Sequence, residues 1–146
     1  NAQTEMRALL LHLRPVALED RSLKQGITNL LEELYSKVSL ELKWELMETT
    51  LDSGIEDHLF RIVQEAVSNT LRHAKANKLE VYLNQTQDSV TLKIVDDGVG
   101  FESNQPDKVG SYGLRNMRER VVGLGGTFKI VSIKQQGTIV DISIPV

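Results

Sequence analysis

Glu65 and Asn69 stand four residues apart in the segment HLFRIVQEAVSNTLRHAKA, a spacing that stacks them on one face of a helix. Their line borders the apolar stripe set by Ile62 and Ala66, with Arg61 and Arg72 on the wetter side. An amide oxygen and a carboxylate are both hard ligands, suited to Mg²⁺, which keeps several of its waters and takes few protein groups. The same pair is also an ordinary polar border of an amphipathic helix, so spacing alone leaves both readings open.

A second group, Asp96-Asp97-Gly98-Val99-Gly100-Phe101, begins where the apolar run VTLKIV ends and so puts a carboxylate at a strand tip. A buried carboxylate only accepts hydrogen bonds, which suits a donor such as an exocyclic adenine amine. Gly98 and Gly100 would let backbone pass close to a ligand, although Asp and Gly also dominate plain turns. A third group, Gly110-Ser111-Tyr112-Gly113-Leu114, opens a helix that carries Arg115, Arg118 and Arg120. Free N–H groups and the positive dipole end at a helix start bind phosphate. No Gly-Lys-Ser/Thr follows, so this is not a P-loop; a simple loop-to-helix junction is the alternative, and the arginines would then form a solvated face. Gly137-Thr138 leads into the last strand, where the hydroxyl could support Asp96.

The elements that must hold these groups can be read from periodicity. Residues 5–14 read as helix ending at Pro15, and a second amphipathic helix spans about 19–37 with Leu23, Ile27, Leu30, Leu31 and Leu34 inward. SLELKWELM alternates as a strand with Leu40, Leu42, Trp44 and Leu46 on one face. A long helix over about 55–74 turns Leu59, Ile62, Val63, Ala66, Val67, Leu71 and Ala74 inward. Strands follow near 79–85 and 89–96, then a glycine-rich polar stretch over 97–113 that reads as a mobile loop. A short helix, LRNMRERVVGL, ends at Gly125-Gly126, and TFKIVSI and TIVDISI form a hairpin about Gln135-Gln136-Gly137. Adjacent strands beside grouped helices predict a two-layer α/β sandwich, a mixed sheet covered on one face by helices, rather than a doubly wound parallel sheet.

Composition narrows the function. The 146 residues suit one domain, and 17 basic against 20 acidic side chains give a net charge of −3. No basic field draws the chain to nucleic acid or an anionic membrane, so phosphate binding must come from local geometry. The absence of cysteine excludes disulfides and thiolate metal sites, and no apolar run approaches the roughly 18 residues a bilayer span needs. The chain opens Asn1-Ala2-Gln3-Thr4 with neither initiator Met nor signal peptide, which reads as a piece of a longer protein.

Taken in order, QEAVSNTLRHA, DDGVGF, GSYGL and the final GT resemble the N box, the two glycine boxes and the terminal Gly-Thr of the gyrase/histidine-kinase/MutL ATPases, whose fold is the Bergerat ATP-binding sandwich. MRALLLHLRP, QEAVSNTLRHAKA and GLRNMRERV are further similar to sensor histidine kinases of the NarX/DesK/LiaS/VraS subgroup, nearest its LiaS/VraS branch of cell-envelope stress sensors. By that likeness residues 1–15 are the tail of an upstream dimerisation helix and 16–146 the ATP-binding catalytic domain. The resemblance implies ATP and Mg²⁺ as cofactors, with Asn69 on the metal, Glu65 on a metal-bound water or orienting the reacting groups, and His73 near phosphate. It implies that Asp96 takes the adenine amine with Thr138 assisting, that Gly98 and Gly100 pass close to the base, and that residues 101–113 are a lid. Gly110 belongs to the second glycine box, and Gly113 and Leu114 would present N–H groups to phosphate.

The implied reaction moves the γ-phosphoryl group of ATP to a histidine of the dimerisation domain, with a response regulator as the next partner. The full-length protein would be anchored in the bacterial cell membrane, with this domain in the cytoplasm and making no membrane contact. His12, His58 and His73 do not fit the acceptor, which in this subgroup is followed by an acidic residue. Arg72 stands where the family usually has Lys, and Asp97 where it often has Asn. An anti-sigma-factor serine kinase and a degenerate nucleotide-binding or docking module are the rival readings. The helix EMRALLLHLRP, similar to the tail of a dimerisation hairpin, argues against the first. Intact Asn69, Asp96 and glycine boxes argue against the second.

Overall fold

A computed structural model of the chain describes residues 18–100 and 111–146. The described chain runs α1 (Leu23–Tyr35), β1 (Glu41–Leu46), α2 (Ser53–Asn69), a π-helical turn (Thr70–Ala74), β2 (Lys78–Gln85), β3 (Ser89–Asp96), α3 (Ser111–Gly123), β4 (Thr127–Ile133) and β5 (Gly137–Pro145). The helix read over 5–14, the 1–15 segment and the stretch 101–110 lie outside the described residues.

The strands form one sheet in the order β1-β2-β3-β5-β4, with β1 parallel to β2 and the other neighbours antiparallel. Even-numbered residues of β3, β4 and β5 point one way, as the pleat requires. On that face Val90, Leu92, Ile94, Val140, Ile142 and Ile144 are buried, joined from β2 by Leu79, Val81 and Leu83. All three described helices cover it. Leu23, Ile27 and Leu31 come from α1, Leu59, Ile62, Val63, Ala66 and Val67 from α2, and Met117 and Val121 from α3. The opposite face carries Glu41, Lys43, Lys93, Lys129 and Asp141, all exposed. The expected two-layer sandwich, a mixed sheet covered by helices on one face, is the fold observed.

Local chemistry sets the helix ends. Ser22 caps α1 by accepting the Gln25 N–H at 3.1 Å. α3 stops where Gly125 turns left-handed at φ +76°. The N–H groups of Gly125 and Gly126 then return to Val122 and Val121 oxygens, both at 2.9 Å, which satisfies two carbonyls of the last turn. The end of α2 departs from expectation. The helix widens at Thr70 into a π turn closed by Lys75 at φ 50°. That extra residue per turn rotates Leu71 out of the apolar stripe, so Leu71, expected inward, is 47% exposed. α3 likewise begins at Ser111, three residues before the expected Leu114, so Gly113 belongs to its first turn rather than to a loop.

The hairpin joining β4 and β5 is locked to the tip of β3 by Gly137. Its φ of +105° is hard for any side chain, and a Cβ there would run into the Asp96 carbonyl oxygen. Gly137→Ala is therefore expected to lower stability by about 2 kcal/mol or more. Urea unfolding followed by circular dichroism checks this; an unchanged midpoint would show that the β3 tip can yield.

Candidate nucleotide site

The four polar groups picked out by spacing gather at one end of the sheet and of α2. Asp96 ends β3 on the helix-covered face, opposite Leu79 on β2 and Thr138 on β5; Thr138 in turn lies opposite Ser132 on β4. Row by row the inward face therefore reads Leu83–Leu92–Ile142–Phe128, Val81–Ile94–Val140–Ile130, and finally Leu79–Asp96–Thr138–Ser132. Two apolar rows lie under the helices and the third turns polar where the cover ends.

Asp96 is partly buried and its two oxygens are held differently. Oδ1 accepts the Gly98 N–H at 2.9 Å, and Oδ2 accepts the Thr70 hydroxyl at 3.4 Å. Burial pushes this carboxyl above its ordinary value. The Gly98 and Thr70 hydrogen bonds pull it back, and the neighbouring Asp97 charge raises it again. Thr70, a buried hydroxyl in the π turn, was not among the residues singled out from the sequence. It ties the end of α2 to the tip of β3, and its position directly after Asn69 was the available signal.

The glycine-rich segment after Asp96 is anchored on both sides. Asp97 is exposed, but its Oδ1 accepts the Asn77 and Lys78 N–H groups at 2.8 and 2.9 Å. It clamps the start of β2. Val99 O accepts the Gln135 N–H at 2.5 Å. Gly100, at φ +62°, lies so close to the Ile133 carbonyl that a Cβ would collide with it. Val99 and Gly100 thus hold backbone against the β4–β5 turn beside Asp96.

At the other side of the site Asn69 is the last α-helical residue before the π turn. Its Oδ1 accepts from Arg72 Nη2 at 3.3 Å, while Arg72 Nε reaches Ser68 O at 3.4 Å. Glu65, one turn back on α2, is 7% exposed, deeper than a border position would be. Its carboxylate packs on Gly113, where an added Cβ would overlap Oε1. Gly113 lies in the first turn of α3 among the leading N–H groups that have no intrahelical acceptor, and Leu114 follows it. Gly110 and residues 101–109 fall outside the described part, and His73 is placed in the π turn without a described side chain.

Two arginines of α3, Arg118 and Arg120, are occupied by structure. Arg118 stacks over Phe128, 5.1 Å from the ring centroid. Arg120 Nη1 lies 3.0 Å from His58 Nδ1. A guanidinium only donates, so Nδ1 accepts and the imidazole hydrogen sits on Nε2. Burial, then nearby Arg61, lowers the Arg120 guanidinium; Glu65 opposes the shift. His58 is thus a packed partner of α3.

A metal at this end would find few protein ligands. Among the described residues no three His, Cys, Asp or Glu side chains converge. One amide oxygen on Asn69 and one carboxylate on Glu65 suit an ion that keeps its waters and leans on phosphate oxygens, which is the habit of Mg²⁺.

The family model for histidine kinase-, DNA gyrase B- and HSP90-like ATPases matches residues 54–146, the stretch that carries every group described above. The chain belongs to that ATPase family. It is 47% identical over 145 residues to the sensor histidine kinase LiaS of Bacillus subtilis, covering 99% of this chain and 40% of that protein. The sensor protein VraS of Staphylococcus saprophyticus is 49% identical over 146 residues and is covered to 42%. The chain thus spans about two-fifths of the relatives it matches. A blue-light activated histidine kinase of Erythrobacter litoralis superimposes over 99% of the chain and 50% of its own, with TM-score 0.76 at 19% identity. The mycobacterial sensor histidine kinase MprB does so over 85% and 94%, with TM-score 0.66 at 18% identity. At such identities these two speak for the ATPase-family fold alone.

Asp96 makes the stability of this ATPase domain depend on pH. Its folded carboxyl titrates above the unfolded one, so the native state binds the proton more tightly. The charged form costs stability above the folded pKa, and that cost is relieved as pH falls through it. Asp96→Asn, which can keep the Gly98 and Thr70 bonds, is expected to melt no lower than wild type near neutral pH. Its advantage should shrink as the medium is acidified. A variant that melts lower at neutral pH and not in acid would reverse the assignment.

Proposed function

We propose that the chain binds Mg-ATP in the space bounded by the tip of β3, the end of α2 and the start of α3. There it would transfer the γ-phosphoryl group to a histidine on a dimerisation domain of the same protein. The observation that carries the nucleotide part is Asp96, a partly buried acceptor fixed by Gly98 and Thr70 with glycine backbone beside it. Membership of the ATPase family implies ATP as the nucleotide. The histidine acceptor rests on the LiaS relative, which is named as a sensor histidine kinase, with VraS named as a sensor protein beside it.

In this reading Asp96 accepts the adenine amine, and Thr138 faces the neighbouring edge of the base. Gly98 and Gly100 let the ring lie against backbone. Asn69 would offer Oδ1 to Mg²⁺, which would supply charge neutralisation on the phosphates. Arg72 now holds that oxygen at 3.3 Å and would release it on binding. Glu65 would orient a water held by the ion or the reacting groups, and the N–H groups that open α3, at Gly113 and Leu114, would meet phosphate at a positive helix end. The protein's share of the reaction is positioning and electrostatics, since phosphoryl transfer asks little covalent chemistry of it. The phosphorylated histidine would pass its group to a response regulator, and the full-length protein would sit in the bacterial cell membrane with this domain in the cytoplasm.

Asp96→Asn is expected to abolish measurable ATP binding while the fold persists, because an amide donor then meets the adenine donor. Calorimetry giving wild-type affinity would remove Asp96 from the site. Wild-type affinity itself should fall as pH drops toward the raised Asp96 pKa, since only the carboxylate is a pure acceptor.

Asn69→Ala should weaken ATP with Mg²⁺ far more than ADP without metal; equal losses would mean that Asn69 does not meet the ion. For the acceptor, the chain is mixed with a separately produced dimerisation domain and labelled ATP. Label stable in base and lost in acid is expected. The opposite stability would point to serine and overturn the histidine reading.

A further inference from the structure

Thr70 is only 5% exposed, and a hydroxyl that deep is kept where it is hydrogen-bonded. A threonine in a helix commonly turns its hydroxyl back to a carbonyl of the preceding turn. Here the Thr70 N–H takes the Ala66 and Val67 carbonyls, while the hydroxyl crosses to β3 and donates to Asp96 Oδ2 at 3.4 Å. The crossing starts from the first residue of the π turn, directly after Asn69. Asp96 is held from its other oxygen by the Gly98 N–H, which Oδ1 accepts at 2.9 Å.

A bond to one oxygen leaves an aspartate carboxyl free to tilt, because its last torsion lies in a broad, roughly two-fold well. A bond to each oxygen fixes the plane. The plane matters to a ligand, since a donor meets an sp² oxygen best near the plane of its group. The Thr70 bond also favours the charged form of a carboxyl that burial pushes the other way, and only the charged form accepts on both oxygens. We propose that Thr70 is a positioning residue for recognition of the exocyclic amine. Its hydroxyl holds the Asp96 carboxylate in the plane from which it accepts an amine hydrogen. Preference for adenine over a purine lacking that amine then depends on a side chain that acts through Asp96. This inference rests on the nucleotide reading given under Proposed function and adds to it the residue that aims the carboxylate.

Calorimetry gives the dissociation constants of this chain for ATP and for purine riboside triphosphate, which carries hydrogen in place of the exocyclic amine. Contacts to phosphate, metal and sugar are common to the two nucleotides and cancel in the ratio. Wild type should prefer ATP by about tenfold, the worth of one good hydrogen bond. Thr70→Val, close in shape but without a donor, should lower the ratio to about threefold or less, with circular dichroism unchanged. Thr70→Ser keeps the hydroxyl and should keep the wild-type ratio. Thr70→Ala takes the place of the valine variant if that protein does not fold. A Thr70→Val or Thr70→Ala protein with the wild-type ratio overturns the proposal even if it binds both nucleotides more weakly, because an equal loss is what altered packing alone produces. A Thr70→Ser protein whose ratio falls as far as that of Thr70→Val overturns it too. Wild type that binds neither nucleotide defeats the nucleotide reading beneath the proposal, and wild type that binds both equally removes Asp96 from the amine. In a failure of the Thr70 role alone, wild type still discriminates.

Discussion

The register of β3, β5 and β4 is the constraint on which the site depends. Antiparallel pairing sets Asp96 opposite Thr138 and Thr138 opposite Ser132. Strand side chains alternate with period two, so a slip of one residue would send all three to the open face. Such a slip would also expose Val90, Leu92, Ile94, Val140, Ile142 and Ile144, six of the buried core residues. The apolar rows therefore hold the polar row in place. Precision at the site is obtained from the free energy of the core rather than from contacts among the polar groups, whose bonds are individually weak.

Close backbone contacts add a second restraint where the sheet ends. Gly137 presses on the Asp96 carbonyl and Gly100 on that of Ile133, while Val99 accepts from Gln135. The β4–β5 turn and the segment after β3 thus form a packed corner, although both look like ordinary loops by composition. Asp97 secures the other side by gathering the Asn77 and Lys78 N–H groups. Adjacent carboxylates so divide their work. Asp97 binds the backbone that opens β2, and Asp96 ties the turn at Gly98 to Thr70 at the end of α2.

Much of this was legible before any coordinates. The strands at 89–96 and 127–133, the hairpin at Gln135–Gly137 and the inward stripes of α1 and α2 follow from period and turn chemistry. Asp96 stood out because it is a polar residue at the end of a strong apolar strand, and Asn69 because it follows Glu65 by four residues along the border of an apolar helix stripe. Leu71 was misplaced because a 3.6-residue period cannot foresee a π turn, which forms where tertiary contact outweighs regular hydrogen bonding. The start of α3 was set too late because two glycines read as loop, whereas Gly113 is in the helix for want of space. Ser132 escaped notice because its meaning lies across the sheet in Thr138, and register is fixed by pairing partners distant in sequence. Thr70 needed the fold for the same reason, since its partner is 26 residues away.

Gly113 also has a mechanical side. With no side chain of its own, it lets the first turn of α3 come down directly onto the Glu65 carboxylate of α2. The separation of the two helices at that level is thus set by one buried carboxyl group acting as a spacer. Asn69, one turn further along α2, and the leading N–H groups of α3 are fastened to opposite ends of the same strut. Shortening or lengthening residue 65 by a methylene would change the gauge between them without touching either.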